Sequence, residues 1–156
     1  MGLDMYLNAK RYISKHFNEG DTERAEAIQK LFPELADIKG RWGDESPVKE
    51  VTIDIGYWRK ANAIHDWFVK NVQGGEDECK PHYVSREQLV ELKDTCTEVL
   101  ENKTRAKELL PTTSGFFFGS TEYDQYYFDD LTDTVAIVEK CLLLPTSWEF
   151  EYRSSW

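Results

Sequence analysis

Residues 57–69 read YWRKANAIHDWFV, and they gather side chains able to hold a polar ligand. Helical periodicity puts Tyr57, Ala61, Ile64, Phe68 and Val72 on one apolar stripe. Arg59, Asn62 and Asp66 then share the opposite face at spacings of three and four, and Trp58, Asn62 and His65 line its edge. An arginine fork grips carboxylate or phosphate, asparagine reads amide-like edges, and histidine changes charge near neutral pH. The same residues also serve plain structural ends. Arg59 can pair with Asp66 or another carboxylate, and His65 can complete a hydrogen bond inside the core.

A second constellation lies in SGFFFGSTEYDQYYFDDL, residues 114–131. Phe117, Tyr123, Tyr126 and Tyr127 offer flat faces for stacking, although an aromatic cluster equally well serves packing. In an extended run, Phe116 and Phe118 point one way and Phe117 the other. Ser120 or Thr121 suits the N-cap of a helix whose free amides would hold a phosphate. Glu122 and Asp124 stand at the same place and oppose an anion there. Asp129, Asp130 and Asp133 follow, a set fit for acid–base work or for magnesium bound with a phosphate substrate. No Lys or Arg occurs between Lys107 and Lys140, so an anion near these acids needs the basic segment around Arg59. The expected ligand-binding set is therefore Trp58, Arg59, Asn62, His65, Phe117, Ser120, Tyr123 and Tyr126.

Cys79 and His82 form a Cys-x-x-His half-pair in a turn-like acidic stretch, GGEDECKPHY. A structural zinc site normally takes four ligands, so neither a metal nor another cofactor is expected. No P-loop, GxGxxG, HExxH or GxSxG is found, and no catalytic residue is assigned. Three widely spaced cysteines fit a reduced, cytoplasmic protein.

These side chains have to be carried by a scaffold, and its elements are partly readable. Gly2–Tyr12 alternates as a strand with Leu3, Met5 and Leu7 inward. Asp21 or Thr22 caps a helix to about Leu31 that turns Ala25, Ile28 and Leu31 inward. Pro33 and GRWGDESP mark an irregular connection. Val48–Ile55 is a second strand with Val51, Ile53 and Ile55 on one side, and Gly56 breaks it before the helix that starts at Tyr57. The QGG turn ends that helix, and HYV makes a short strand. Ser85 and Gln88 form a capping box before a helix to about Asn102. A last helix spans roughly Thr121–Leu143, and SWEFEYRSSW closes the chain as a strand. Strands and helices mix without a βαβ cadence. The expectation is a single α+β domain over residues 1–156, a small antiparallel or mixed sheet packed with about four helices.

Composition narrows the function classes. With 40% hydrophobic residues in 156, the chain buries a real core. It holds no run long enough for a membrane span, and its start has no secretory h-region. The opening Met-Gly is read as structural rather than as a lipidation signal. A net charge of −10 argues against direct binding to nucleic acid or to anionic membrane.

MGLDMYL, YWRKANAIHDWFV, SGFFFGSTEYDQYYFDDL and the terminal SSW together resemble a family of small accessory proteins encoded by tailed phages and prophages. The resemblance covers nearly the whole chain and is weakest over about residues 18–47. It implies a protein made in an infected bacterial cytoplasm and carries over no catalytic residues. Within that setting, the expected function is sequestration of a nucleotide-like small molecule, such as a host-defence signal. Two alternatives stay open: an acidic protein–protein inhibitor or DNA mimic aimed at a host protein, and an enzyme acting on a phosphorylated or nucleotide substrate through His65 and a carboxylate. A site completed across a symmetric interface would make the chain a homo-oligomer.

Overall fold

A computed structural model describes residues 2–14, 18–41, 43 and 46–156. Met1 of the opening Met-Gly, and Trp42, Asp44 and Glu45 of GRWGDESP, lie outside the described residues. The fold is α+β. Its strands β1 (Asp4–Tyr12), β2 (Glu50–Arg59), β3 (His82–Val84) and β4 (Glu149–Ser155) form one antiparallel sheet in the order β2-β1-β4-β3. The helices among the described residues are α1 (Asp21–Lys30), α2 (Asn62–Asn71), α3 (Arg86–Glu101), the single turn α4 (Ala106–Leu109) and α5 (Gln125–Leu143).

The chain divides into two compact units, residues 1–9 with 53–156, and residues 10–52. In the larger unit, period-two alternation completely buries Met5, Leu7 and Ala9 of β1 together with Leu3 just before it. Phe150, Tyr152 and Ser154 of β4 face the same way. Helix α3 adds Leu89, Leu92, Cys96 and Val99, and α5 adds Leu131, Val138 and Cys141, all in one hydrophobic cluster. Burial pushes the thiols of Cys96 and Cys141 up to about 12, which makes them inert packing groups. The capping box read at Ser85 and Gln88 is present with both of its hydrogen bonds.

The smaller unit centres on Asp21. This residue opens α1 from within the helix rather than capping it: Gly20 holds the N-cap position at φ 77°, with no side-chain cap. Asp21 is buried and accepts from Arg11, Arg24, Asn18 and the Ser14 amide. Ala25 is buried as expected, whereas Leu31 is exposed because α1 ends at Lys30.

The strand read at Val48–Ile55 begins at Glu50 and does not break at Gly56. It runs on to Arg59, so Tyr57, Trp58 and Arg59 are strand residues and no helix starts at Tyr57. The inward face of β2 is the one that carries Gly56 and Trp58. Ile53 is exposed, and Val51 and Ile55 are only half-buried. Gly56 is needed there for room, because a Cβ at this position would lie 2.5 Å from Ile137 Cγ2 and 3.4 Å from Leu7 Cβ.

Candidate functional site

Strand β2 stops at Lys60, which takes a left-handed φ of 62°. The chain turns there and α2 starts at once. Ala61 stands at the N-cap and supplies no side-chain cap. The Asn62 amide donates to Lys60 O at 2.8 Å and the His65 amide to Ala61 O at 2.9 Å.

Across from this turn runs the loop that joins α4 to α5. Asn62, 4% exposed, clasps it: Nδ2 donates to the carbonyls of Phe118 (3.1 Å) and Ser120 (2.8 Å), and Oδ1 accepts from the Thr113 amide (2.9 Å). Thr112 closes the same loop, its hydroxyl donating to Thr121 O and its amide donating to the Tyr123 hydroxyl. Gly119, at φ 86°, lies against Lys60, where a Cβ would stand 3.1 Å from Lys60 Cβ.

Between the β2–α2 turn, this loop and the first half of α5 lies a cavity of about 460 Å³. Its lining includes the cations Arg59 and Lys60, the start of α2, the rings of Tyr126 and Tyr127, and the acids Glu122, Asp124 and Asp130. Arg59 Nε is 4.0 Å from an Asp4 carboxylate oxygen, a long pair at the surface. Tyr126 is 80% exposed, which leaves its ring free to stack. The Asp130 carboxyl is half-buried and has no hydrogen-bond or ion-pair partner among the described residues. Burial first, then Asp133, Asp129 and Asp124, push it up to about 7. It thus exchanges a proton around neutral pH.

Of the residues read from sequence, Arg59, Asn62, Ser120 and Tyr126 line this cavity. The other four lie elsewhere. Trp58 is 3% exposed and donates from Nε1 to Thr134 Oγ1 at 2.9 Å. Since β2 carries Trp58 and Arg59 on opposite faces, neither shares a helix face with Asn62 and His65. Phe117 meets the ring edge of Phe116 at 4.8 Å. Tyr123 packs on Tyr127 at 5.0 Å. Ser120 and Thr121 are not the N-cap of α5; Asp124 is, accepting from the Tyr127 amide. That carboxylate already occupies the helix start, so it does not await an anion.

His65 sits beneath the loop, 2% exposed, with the Phe118 ring edge-on at 5.0 Å. Its Nδ1 is 2.8 Å from the Tyr152 hydroxyl, and its Nε2 is 3.4 Å from Asp77 Oδ2. Asp77 in turn accepts from the Ser154 hydroxyl, Trp156 Nε1, the Cys79 amide and Gln73 Nε2. Burial lowers the His65 pKa, only partly offset by Asp77 and Asp66, so the ring is neutral at pH 7. Burial also acts on Asp77, upward, but the hydrogen bonds from Trp156, Cys79 and Ser154 outweigh it and hold the carboxyl below its ordinary value. This cluster is a buried polar lock joining α2, the loop after it and β4. It resembles no nucleophile arrangement, because Ser154 binds the carboxylate and not the imidazole. Among the described residues no three His, Cys, Asp or Glu side chains converge to hold a metal ion. Within them, too, no helix is long and apolar enough to cross a membrane.

Sequence reading missed Lys60 and the cavity role of Asp130. A lysine just after a strand carries no signal by itself, and its backbone conformation cannot be read from its type. No protein-family model, no curated protein and no solved structure matches this chain.

Proposed function

We propose that the chain binds a nucleotide-like small molecule in the cavity between the β2–α2 turn and α5. The observation that carries this reading is a cavity of about 460 Å³ whose lining combines Arg59 and Lys60 with Glu122, Asp124 and Asp130 and with Tyr126 and Tyr127. Its size falls within the roughly 300–1,000 Å³ of small-molecule sites. A ligand suited to this lining has an anionic end, hydroxyl or amino donors, and a flat ring. Arg59 and Lys60 suit the anion, Glu122 and Asp130 accept from donors, and Tyr126 suits the ring. Nucleotides combine these three parts.

The wider setting, a phage accessory protein that sequesters a host-defence signal, draws its support from the sequence resemblance. Sequestration asks for tight binding without turnover, and none of the described residues forms a nucleophile–base pair in the cavity. Thermal melting with a panel of cyclic nucleotides and ADP-ribose-type compounds tests the reading. Ligand at about 100 times its Kd stabilises the folded state by about 2.7 kcal/mol, a rise of several degrees. Melting temperatures that stay fixed across the whole panel would overturn it.

A further inference from the structure

We propose that Lys60 is the specificity-determining residue of this cavity, the one that selects an oxyanion on the ligand, phosphate above all; this rests on the binding reading above. The first ground is its backbone. A φ of 62° is a conformation that L side chains with a Cβ rarely adopt, and glycine fills it at no steric cost. The backbone bonds at this turn are the same for any residue type: the Lys60 amide donates to Leu3 O and its carbonyl accepts from the Asn62 amide, each at 2.8 Å. The turn therefore gives no reason for lysine. Strained backbone of this kind gathers where a side chain is kept for use.

The second ground is the path of the side chain. A Cβ built on Gly2 would lie 3.3 Å from Lys60 Cε, and one built on Gly119 would lie 3.1 Å from Lys60 Cβ and 3.4 Å from Cδ. The stem thus runs between two glycines, and bulk at either place would press on it. The third ground is charge. Glu122, Asp124 and Asp130 line the same cavity in a chain of net charge −10, yet Lys60 makes no ion pair among the described residues. Arg59 beside it is already near Asp4. An ammonium with no ion pair among the described residues, on a guided stem of a residue that lines the cavity, is a point charge suited to phosphate.

The test compares ADP-ribose with adenosine, which has the ring and ribose but no phosphate, by calorimetry on the wild-type chain, Lys60→Gly and Lys60→Met. Both variants should bind ADP-ribose at least about tenfold more weakly and adenosine as before. Lys60→Gly, relieved of strain, should melt no lower than wild type. If Lys60→Gly does not fold, Lys60→Met, which keeps a stem of similar length, decides. Unchanged ADP-ribose affinity in Lys60→Met, with the wild type binding both compounds, overturns the role of Lys60 and leaves the cavity reading standing. Equal loss of both compounds overturns it too, since a merely structural residue gives that pattern. A wild type that binds neither compound overturns the cavity reading together with this inference.

Discussion

At the scale of single residues, the lock around Asp77 decides more than any exposed group. Asp77 accepts from Ser154 and Trp156, which lie 77 and 79 residues away in sequence. Replacing it with Asn keeps the shape but loses the charge, and it sets an amide NH₂ against donors. A loss of about 1–3 kcal/mol is expected for each donor left unmatched, read by chemical denaturation. Tyr152→Phe should cost a similar amount, because the buried His65 Nδ1 would lose its partner. The pH dependence follows from the two shifts. Folding lowers the His65 pKa, so between pH 6.5 and that lower value the unfolded chain binds more protons, and stability falls as pH drops through this window. The Asp77 pKa is lowered as well, so its contribution is full above 3.8 and lost as pH falls further. The contribution of His65 should therefore be lost below about pH 6.5 and that of Asp77 below about pH 4. In Asp77→Asn the second step should shrink. The sequence allowed a core hydrogen bond for His65 but offered no way to find its partner. GGEDECKPHY reads as an acidic turn, and only the folded chain brings β4 back over it.

At the scale of elements, what could be read and what could not have different physical causes. Helix α3 is legible because its signals are local: Ser85 and Gln88 cap it, and Leu89, Leu92, Cys96 and Leu100 read as its inner face, although at its end Val99 is the fully buried residue and Leu100 only half-buried. Ser85→Ala should cost about 1 kcal/mol. Strand β1 was legible because its loose alternation still leaves Met5, Leu7 and Ala9 on one buried face. The end of β2 was not. A glycine inside an alternating run reads as a break, yet Gly56 sits against Ile137 of α5, whose side chain fills the space a Cβ would need. Reading a break there turns Tyr57–Arg59 into helix and sets Trp58 beside His65 and Arg59 beside Asp66, when both Trp58 and Arg59 belong to the strand. Gly56→Ala measures how tight the contact is. It should destabilise by about 1–3 kcal/mol through overpacking. Ile137→Ala alone opens a cavity and should cost about 2–5 kcal/mol. In the double variant the two costs should fall short of their sum, because the added methyl enters the space that Ile137 vacates. Strict additivity in denaturation experiments would mean that Gly56 and Ile137 do not meet.

At the scale of the whole molecule, acidity and the cavity are linked through Asp130. The net charge is −10, and no Lys or Arg falls between Lys107 and Lys140, so α5 carries its carboxylates without local relief. Asp130 shows the consequence: burial and three neighbouring aspartates bring it to about 7 in the folded chain, against 3.8 as the ordinary value. Its pKa is raised, so its contribution is present below pH 3.8 and is lost as pH rises through about 7, the opposite sense to His65 and Asp77. That loss runs over about pH 4–7, the range in which the His65 contribution recovers, so the two oppose each other there and neither changes stability much above about pH 7. Asp130→Asn removes the cost of ionising Asp130, so the variant should gain more in melting temperature at about pH 8 than near pH 5. Binding follows the same proton. An anionic ligand in a cavity shared with Glu122, Asp124 and Asp130 meets one carboxylate fewer when Asp130 is protonated. Affinity for ADP-ribose should therefore weaken as pH rises from about 6 to 8, and Asp130→Asn should flatten that dependence. Adenosine, which carries no charge, should show little of it. A wild-type affinity that is level across this range, while Asp130→Asn still gains more melting temperature at about pH 8 than near pH 5, would place the ligand's anion out of reach of Asp130.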